Sequence, residues 1–77
     1  MINDRISLDV KDHIAHVQLS RPEKMNALDP EMFAAIPKLE EALRADKSIR
    51  VVVLSGAGDN FCAGLDKSNF IAMLSPN

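Results

Sequence analysis

The sequence predicts a small α/β fold built from a β-hairpin, an amphipathic helix and one further strand. Two segments rich in alternating apolar residues open the chain, a segment with helical periodicity follows, and a nearly continuous apolar run comes next. The 77 residues leave room for one small domain. We therefore expect a strand, strand, helix, strand order within a single structural unit.

The first two strands are predicted on either side of a short polar break at residues 11–13. Apolar residues recur along both segments: Ile6, Leu8 and Val10 before the break, and Ile14, Ala15, Val17 and Leu19 after it. This pattern is typical of strands, so we expect a β-hairpin with Lys11 and Asp12 near its turn. His13 and His16 would point to opposite faces of a strand, so they predict no metal site.

Residues 20–28 form a predicted loop between the second strand and the helix, because Ser, Pro and Asn residues occur there together. Arg21 and Lys24 place two cations near one another, which suits phosphate groups. The alternative is an ordinary solvated surface loop, and composition alone favours that interpretation.

The helix is predicted to begin at Asp29 and Pro30, because Asp caps free N–H groups and Pro suits the first helical position. Its apolar residues recur at helical spacing and are expected to face the core: Met32, Ile36, Leu39 and Leu43, with Phe33 beside them. Pro37 removes one helical hydrogen bond, so we expect a kink there and not a break.

The third strand is predicted at residues 49–54 and, as a nearly continuous apolar run, should be covered on both faces as in a parallel sheet. A glycine-rich turn follows, and then the small residues Ala63 and Gly64 precede a predicted helix that starts at residues 66–69 and continues to Leu74. Successive backbone N–H groups in such a loop can bind an oxyanion. A plain strand-to-helix turn is the alternative.

Composition excludes several classes of protein. The net charge of −2 and the scattered Lys and Arg residues argue against nucleic acid as a partner. No apolar run is long enough to span a bilayer, and the polar first residues lack a signal-peptide core, so we expect a cytoplasmic protein without membrane contact.

Cys62, the single cysteine, excludes an internal disulfide and has no neighbouring base, which favours a buried thiol over a nucleophile.

Two motifs give the chain a family resemblance. LSRPEKMNALDPEMF (residues 19–33) and, after the strand IRVVVLSGAGDN, FCAGLD (residues 61–66) resemble the N-terminal part of the enoyl-CoA hydratase/isomerase, or crotonase, family. The resemblance runs from about Ile6 to about Leu74. It implies a partial crotonase-type ββα spiral, with residues 1–77 as the N-terminal part of one incomplete domain that would continue beyond Asn77.

The resemblance also implies a site for an acyl-CoA thioester. The backbone N–H of Leu65 would be the first oxyanion donor, Gly64 would permit close approach, and the Ala63 carbonyl would face the adenine amino group. Asp66 would start the helix, and Lys67 could reach phosphate. The loop before the helix would contact coenzyme A through Lys24, Met25 and Ala27. Coenzyme A would be part of the substrate, and no separate cofactor and no metal are expected.

Two hypotheses of different classes follow. In the first, the chain is the N-terminal segment of an acyl-CoA hydratase or isomerase, including a dienoyl-CoA isomerase-like parent, and is inactive by itself. The second oxyanion donor and the acidic residues would then lie beyond Asn77, in a parent that forms trimers or hexamers. In the second hypothesis, the chain is a non-catalytic module that docks on a full-length relative.

Overall fold

A computed structural model describes residues 2–66 of the chain. The elements in order are β1 (Ile6–Lys11), β2 (Ile14–Leu19), a short 3-10 turn (Pro22–Lys24), α1 (Pro30–Ala45) and β3 (Val51–Gly56). The predicted α/β class and element order are therefore confirmed. Of the helix predicted to start at residues 66–69, only Asp66 is among the described residues, and the rest, including Lys67, lies outside them.

The β1–β2 hairpin closes through the two residues Asp12 and His13. Both adopt left-handed backbone angles, with φ of +53° and +68°. A two-residue loop with positive φ at both positions matches the twist of the flanking strands, so the turn forms without glycine. The His13 carbonyl accepts the Arg50 N–H at 2.8 Å, and its Nδ1 lies 2.9 Å from the Ser48 carbonyl oxygen. The hairpin turn thus anchors the start of β3.

The three strands form one sheet with β2 in the centre, antiparallel to β1 and parallel to β3. Cross-strand partners share a face, so Ile6 lies beside Leu19 and Leu8 beside Val17. Helix α1 packs on this face. The core consists of five buried residues: Ile6, Val17, Leu19, Met32 and Ala35. Burial of this face fixes the register of the hairpin.

Helix α1 begins as predicted, because the Asp29 carboxylate accepts the Met32 N–H at 2.9 Å and Pro30 occupies the first position. The helix continues through Pro37 without a break, while the kink stays a prediction. The prediction of which helix residues face the core was wrong in part, since Phe33 and Ile36 are 41% and 43% exposed and Ala35 is fully buried.

The geometry of the helix explains this difference. At 3.6 residues per turn, Ile36 and Phe33 lie roughly 40° and 100° around the axis from Met32. Ala35 lies on the opposite side of Met32, where its small side chain lets the helix approach the sheet. The packed stripe therefore runs through Met32, Ala35, Leu39 and Leu43.

Strand β3 is parallel to β2 as predicted, but the expectation that it is covered on both faces was wrong. Its side chains are exposed by 44–54% at four successive positions: Val51, Val52, Val53 and Leu54. Within residues 2–66, β3 pairs with β2 along one edge only, and α1 packs over β1. No described element covers either face of β3. The strand begins and ends two residues later than predicted, since the Ile49 N–H bonds to the Asp46 carbonyl and the Arg50 N–H bonds to the His13 carbonyl of the hairpin turn.

Candidate functional site

Two loops meet at one end of the sheet: residues 20–28, before α1, and residues 57–66, after β3. Leu28 and Leu65 form an isolated parallel β-bridge. The Leu28 N–H donates to the Gly64 carbonyl at 2.7 Å, and the Asp66 N–H donates to the Leu28 carbonyl at 2.9 Å. The Ala63 N–H adds a third bond, to the Met25 carbonyl at 3.0 Å. The two motifs are thus joined through their backbones.

The backbone N–H of Leu65 points away from the loop that anchors it. No peptide bond within residues 2–66 is cis, and in a trans peptide unit the N–H points opposite to the carbonyl. Because the Gly64 carbonyl faces Leu28, the Leu65 N–H faces the other way. No hydrogen bond within the described residues uses this N–H, and Leu65 is 43% exposed. Among the described residues, the site therefore offers a fixed donor without a protein acceptor, which a ligand oxygen can use.

Gly64 and Gly56 make this loop geometry possible for different reasons. Gly64 has φ of +95°, a conformation that other residues rarely adopt. A Cβ there would meet no atom of the described part of the chain within 4 Å, so these residues leave room for a ligand beside Gly64. A Cβ at Gly56 would lie 2.4 Å from the Phe61 carbonyl oxygen, so only glycine lets the loop fold back against the end of β3.

The side chain of Asn26 connects the first loop with the turn after β3 through hydrogen bonds. It is fully buried and has φ of +55°, a conformation that Asn tolerates better than most residues. Its Oδ1 accepts the Arg21 N–H at 2.8 Å, and its Nδ2 donates to the carbonyls of Ala57 and Asn60 at 2.9 and 2.7 Å. Sequence reasoning missed this role. The available signal was an Asn in a loop motif that the resemblance had already singled out.

Four charged residues form an alternating chain that runs through the site. Arg5 binds Asp29 through Nε and Nη2, with contacts of 2.8–3.2 Å. Arg21 Nη1 lies 3.5 Å from Asp29 Oδ2 and donates to Asp66 Oδ2 at 2.7 Å. We call this chain, Arg5–Asp29–Arg21–Asp66, the charge chain. Side-chain exposure is 20% or less at all four residues.

The charge chain revises the role expected for Arg21. The sequence suggested that Arg21 and Lys24 form a pair of cations for phosphate. The Arg21 guanidinium is instead 13% exposed and lies between two carboxylates, whereas Lys24 is exposed at the end of the 3-10 turn. Lys24 is thus accessible to a ligand, as expected. Arg21 instead connects the first loop with Asp29 at the start of α1 and with Asp66 in the second loop.

The electrostatics of the charge chain favour its ionised state. Burial by itself raises the pKa of the Asp29 carboxyl. Hydrogen bonds from Arg5 and the Met32 N–H, together with the positive charge of Arg21, outweigh that effect, so the pKa lies below its usual value. The same hydrogen bond with Asp29 raises the pKa of the Arg5 guanidinium. Both groups are charged at neutral pH.

The structure brings most of the expected site residues together. Met25 is 53% exposed with φ of +52°, and its carbonyl binds the Ala63 N–H. Ala27 is buried, and its carbonyl accepts Arg21 Nη1 at 3.3 Å. Ala63 is exposed beside Gly64. Cys62 is half-buried against the core, and its Sγ lies 3.4 Å from the Gly64 N–H, in keeping with a structural thiol. The ligand contacts of these residues stay predictions.

Two absences hold for residues 2–66. No helix there is both long enough and apolar enough to cross a membrane. No group of three His, Cys, Asp or Glu side chains in this part of the chain is arranged to hold a metal ion.

Known proteins resemble the chain closely. The (E)-benzylidenesuccinyl-CoA hydratase of Thauera aromatica is 48% identical over 62 residues, which are 79% of this chain and 24% of that enzyme. The mitochondrial Delta(3,5)-Delta(2,4)-dienoyl-CoA isomerase of Mus musculus is 41% identical over 54 residues, 70% of this chain and 16% of that enzyme. The chain thus spans about a quarter or less of the length of these relatives.

A solved structure matches the fold as well. The enoyl-CoA hydratase of Mycobacterium tuberculosis H37Rv superposes with a TM-score of 0.79 at 32% identity, over 88% of this chain and 31% of that one. The three-stranded sheet with its helix and joined loops is therefore part of a crotonase-type α/β fold. A family model described as enoyl-CoA hydratase/isomerase matches residues 9–75. The chain belongs to the enoyl-CoA hydratase/isomerase family.

Proposed function

We propose that these residues form the N-terminal part of an acyl-CoA hydratase or isomerase and supply one oxyanion donor, the backbone N–H of Leu65. The Leu65 N–H, which has no acceptor within residues 2–66, carries this proposal. Two backbone bonds hold its peptide units in place, so the donor needs little reorganisation when charge develops on a thioester oxygen. The second donor and the acid or base groups lie outside these residues.

The coenzyme A contacts extend the same proposal. Lys24, Met25 and Ala27 come from the loop before α1, and Ala63 comes from the loop after β3. Gly64 leaves the approach to Leu65 open. We assign the Ala63 carbonyl to the adenine amino group, Asp66 to the end of the oxyanion loop and Lys67 to a phosphate. Coenzyme A enters as part of the substrate, and we propose no further cofactor and no metal.

We further propose that residues 1–77 are an incomplete domain. The span of about a quarter of the length of curated relatives supports this, as does the uncovered strand β3. In the whole protein, later elements would cover β3, and the parent would assemble as a trimer or hexamer. Hydration is the preferred reaction, since the hydratase relative is 48% identical and the dienoyl-CoA isomerase relative is 41% identical.

The test compares Leu65→Pro with Leu65→Ala in the protein that contains these residues together with its continuation in the gene. Proline removes the N–H, so we expect crotonyl-CoA hydration to fall roughly 10²–10³-fold, as for loss of one oxyanion donor. Leu65→Ala keeps the N–H and is expected to stay within a few-fold of the wild type. Equal activity of both variants, or wild-type protein that neither binds nor hydrates acyl-CoA, would contradict the proposal.

The uncovered apolar surface favours a second candidate function, a non-catalytic module that docks on a full-length relative. The exposed side chains on the two faces of β3, together with the exposed Phe33 and Ile36 of α1, would supply the apolar docking contacts. Sedimentation of the 77-residue polypeptide with and without a full-length hydratase checks this. A polypeptide that stays monomeric and does not co-sediment would rule the candidate out.

A further inference from the structure

We propose that Arg21 is the positioning residue of the oxyanion loop: its guanidinium fixes and polarises the Leu65 N–H from the opposite side of the β-bridge. The inference rests on the proposed function, since it concerns the same donor. Arg21 touches no substrate atom in this proposal and acts only through the peptide groups and the carboxylate that it binds.

A continuous series of hydrogen bonds connects Arg21 with Leu65. Arg21 Nη1 donates to the Ala27 carbonyl at 3.3 Å. The N–H of that same peptide unit, on Leu28, donates to the Gly64 carbonyl at 2.7 Å. The N–H of the Gly64 peptide unit is the Leu65 donor itself. Two peptide groups therefore lie head to tail between the guanidinium and the proposed oxyanion.

The hydrogen bonds from Arg21 to the Gly64 carbonyl all run in the direction that makes the Leu65 N–H a stronger donor. A cation at the carbonyl of the first peptide withdraws electron density from it, which makes the Leu28 N–H a stronger donor. The same polarisation passes to the Gly64 peptide and so to the Leu65 N–H, because hydrogen bonds in a chain reinforce one another. A thioester oxygen that gains negative charge would benefit more from this than a neutral one.

Arg21 also holds the far side of the bridge. Its Nη1 donates at 2.7 Å to the carboxylate of Asp66, the residue directly after Leu65. The backbone N–H of Asp66 in turn donates to the Leu28 carbonyl at 2.9 Å. One partly buried guanidinium thus contacts Ala27 on one strand of the bridge and Asp66 on the other. Both contacts use the N–H groups of Nη1, which the planar guanidinium holds in fixed directions, whereas a neutral Gln side chain carries no charge to polarise the Ala27 carbonyl.

The test measures how strongly the site polarises a bound thioester. The probe is butyryl-CoA with ¹³C at the thioester carbonyl, which is saturated and is not hydrated, and the readout is its isotope-edited infrared carbonyl stretch. In the wild type, we expect the stretch to move to lower wavenumber than in water. Arg21→Gln should lose at least about half of this shift and lower kcat for crotonyl-CoA roughly tenfold, with KM changed less than about threefold.

Arg5→Gln is the matched control, because Arg5 belongs to the same charge chain but its side chain contacts only Asp29 and Glu31 among the described residues. It should keep the full infrared shift even if it lowers the melting temperature. A merely structural role of Arg21 predicts that both variants keep the shift and the kcat of the folded fraction, and this result would overturn the inference.

Two further outcomes separate the proposals. Wild-type protein without any infrared shift would overturn the proposed function, and the inference with it. A wild-type shift that Arg21→Gln fully retains would overturn the inference alone. If Arg21→Gln does not fold, Asp66→Asn decides: it removes the carboxylate charge that binds Arg21 Nη1 and should change the size of the shift, whereas an unchanged shift would contradict the inference.

Discussion

At the scale of single residues, Asp29 combines two roles that are usually separate. One carboxylate oxygen caps α1 by accepting the Met32 N–H, and the same group binds Arg5 and faces Arg21. Capping alone contributes about 1 kcal/mol to the stability of a typical helix. Because Arg5 lies directly before β1 and Arg21 lies in the first loop, Asp29 also ties the start of α1 to both of these segments.

Asp29→Asn separates the two roles, because Asn remains a good cap but carries no charge. We expect the free energy of unfolding at pH 7 to fall by about 1–3 kcal/mol from weakened hydrogen bonds with Arg5. The pKa of Asp29 is lowered in the folded state. As the pH falls below about 5, the unfolded chain therefore binds more protons than the folded chain. The stabilisation is present above the unfolded pKa and is lost as pH falls through the folded pKa.

Thermal unfolding followed by circular dichroism between pH 3 and 7 measures this. The wild-type melting temperature should fall more steeply with acid than that of Asp29→Asn. Asp9→Asn, which removes an exposed carboxylate on β1, is the control and should follow the wild-type curve. Parallel pH profiles for wild type and Asp29→Asn would show that the charge of Asp29 does not stabilise the fold.

Asn26 gives a second prediction at this scale. Asn26→Ala removes three hydrogen bonds, leaves two carbonyls without their donor and places Ala in a left-handed conformation. We expect a loss of about 2–4 kcal/mol in the free energy of unfolding, measured by urea denaturation. Asn60→Ala is the control, since only the backbone carbonyl of Asn60 takes part, and it should change stability by less than about 0.5 kcal/mol. Equal losses in the two variants would refute the role of Asn26.

At the scale of elements, α1 shows a proline within an unbroken helix. Pro37 lacks the N–H that would bond to the Phe33 carbonyl, and an interior proline is up to about 3 kcal/mol less favourable than alanine. We therefore expect Pro37→Ala to stabilise the protein by about 1–3 kcal/mol in urea denaturation. Glu41→Ala, on the exposed side of the same helix, is the control and should change little. A Pro37→Ala variant of unchanged stability would mean that the helix already accommodates the ring without strain.

The same scale explains which parts of the fold the sequence could predict. Local signals were sufficient where neighbours decide the structure: Asp29 and Pro30 start α1, and the alternation of apolar residues forms the hairpin. The burial of Ile36 and of β3 depends on what packs against them, which a local pattern does not contain. Both were therefore predicted to be covered and are exposed.

The site divides in the same way. The motifs identified both loops and Leu65, because those residues follow one another in the chain. The contacts that hold the loops together connect distant residues: Asn26 binds the carbonyl of Asn60, 34 residues away, and Arg21 binds Asp66, 45 residues away. No spacing rule links positions so far apart. A cation and an Asn in a loop also have a simpler interpretation as surface residues.

At the scale of the whole molecule, β3 presents two apolar faces and one unpaired edge within the described residues. Exposed edge strands with apolar side chains favour pairing between chains. We therefore expect the 77-residue polypeptide to self-associate as its concentration rises, as measured by analytical ultracentrifugation. Val53→Lys, which places a charge on β3, should reduce this association.

Gln18→Lys is the matched control for that experiment. It adds the same charge at an exposed position of β2, on the sheet face that also carries Val53. If β3 drives association, Val53→Lys should weaken it and Gln18→Lys should leave it nearly unchanged. Equal weakening by both would point to net charge as the cause.

The charge chain has a consequence for how this protein can change over generations. Each of its two inner members, Asp29 and Arg21, has an oppositely charged neighbour on both sides. Loss of Arg21 therefore takes a cation away from two carboxylates at once, whereas joint replacement of Arg21 and Asp66 leaves Asp29 still paired with Arg5. Positions 21 and 66 should accordingly be inherited as a pair, and homologues without an Arg at the first should also lack an acid at the second.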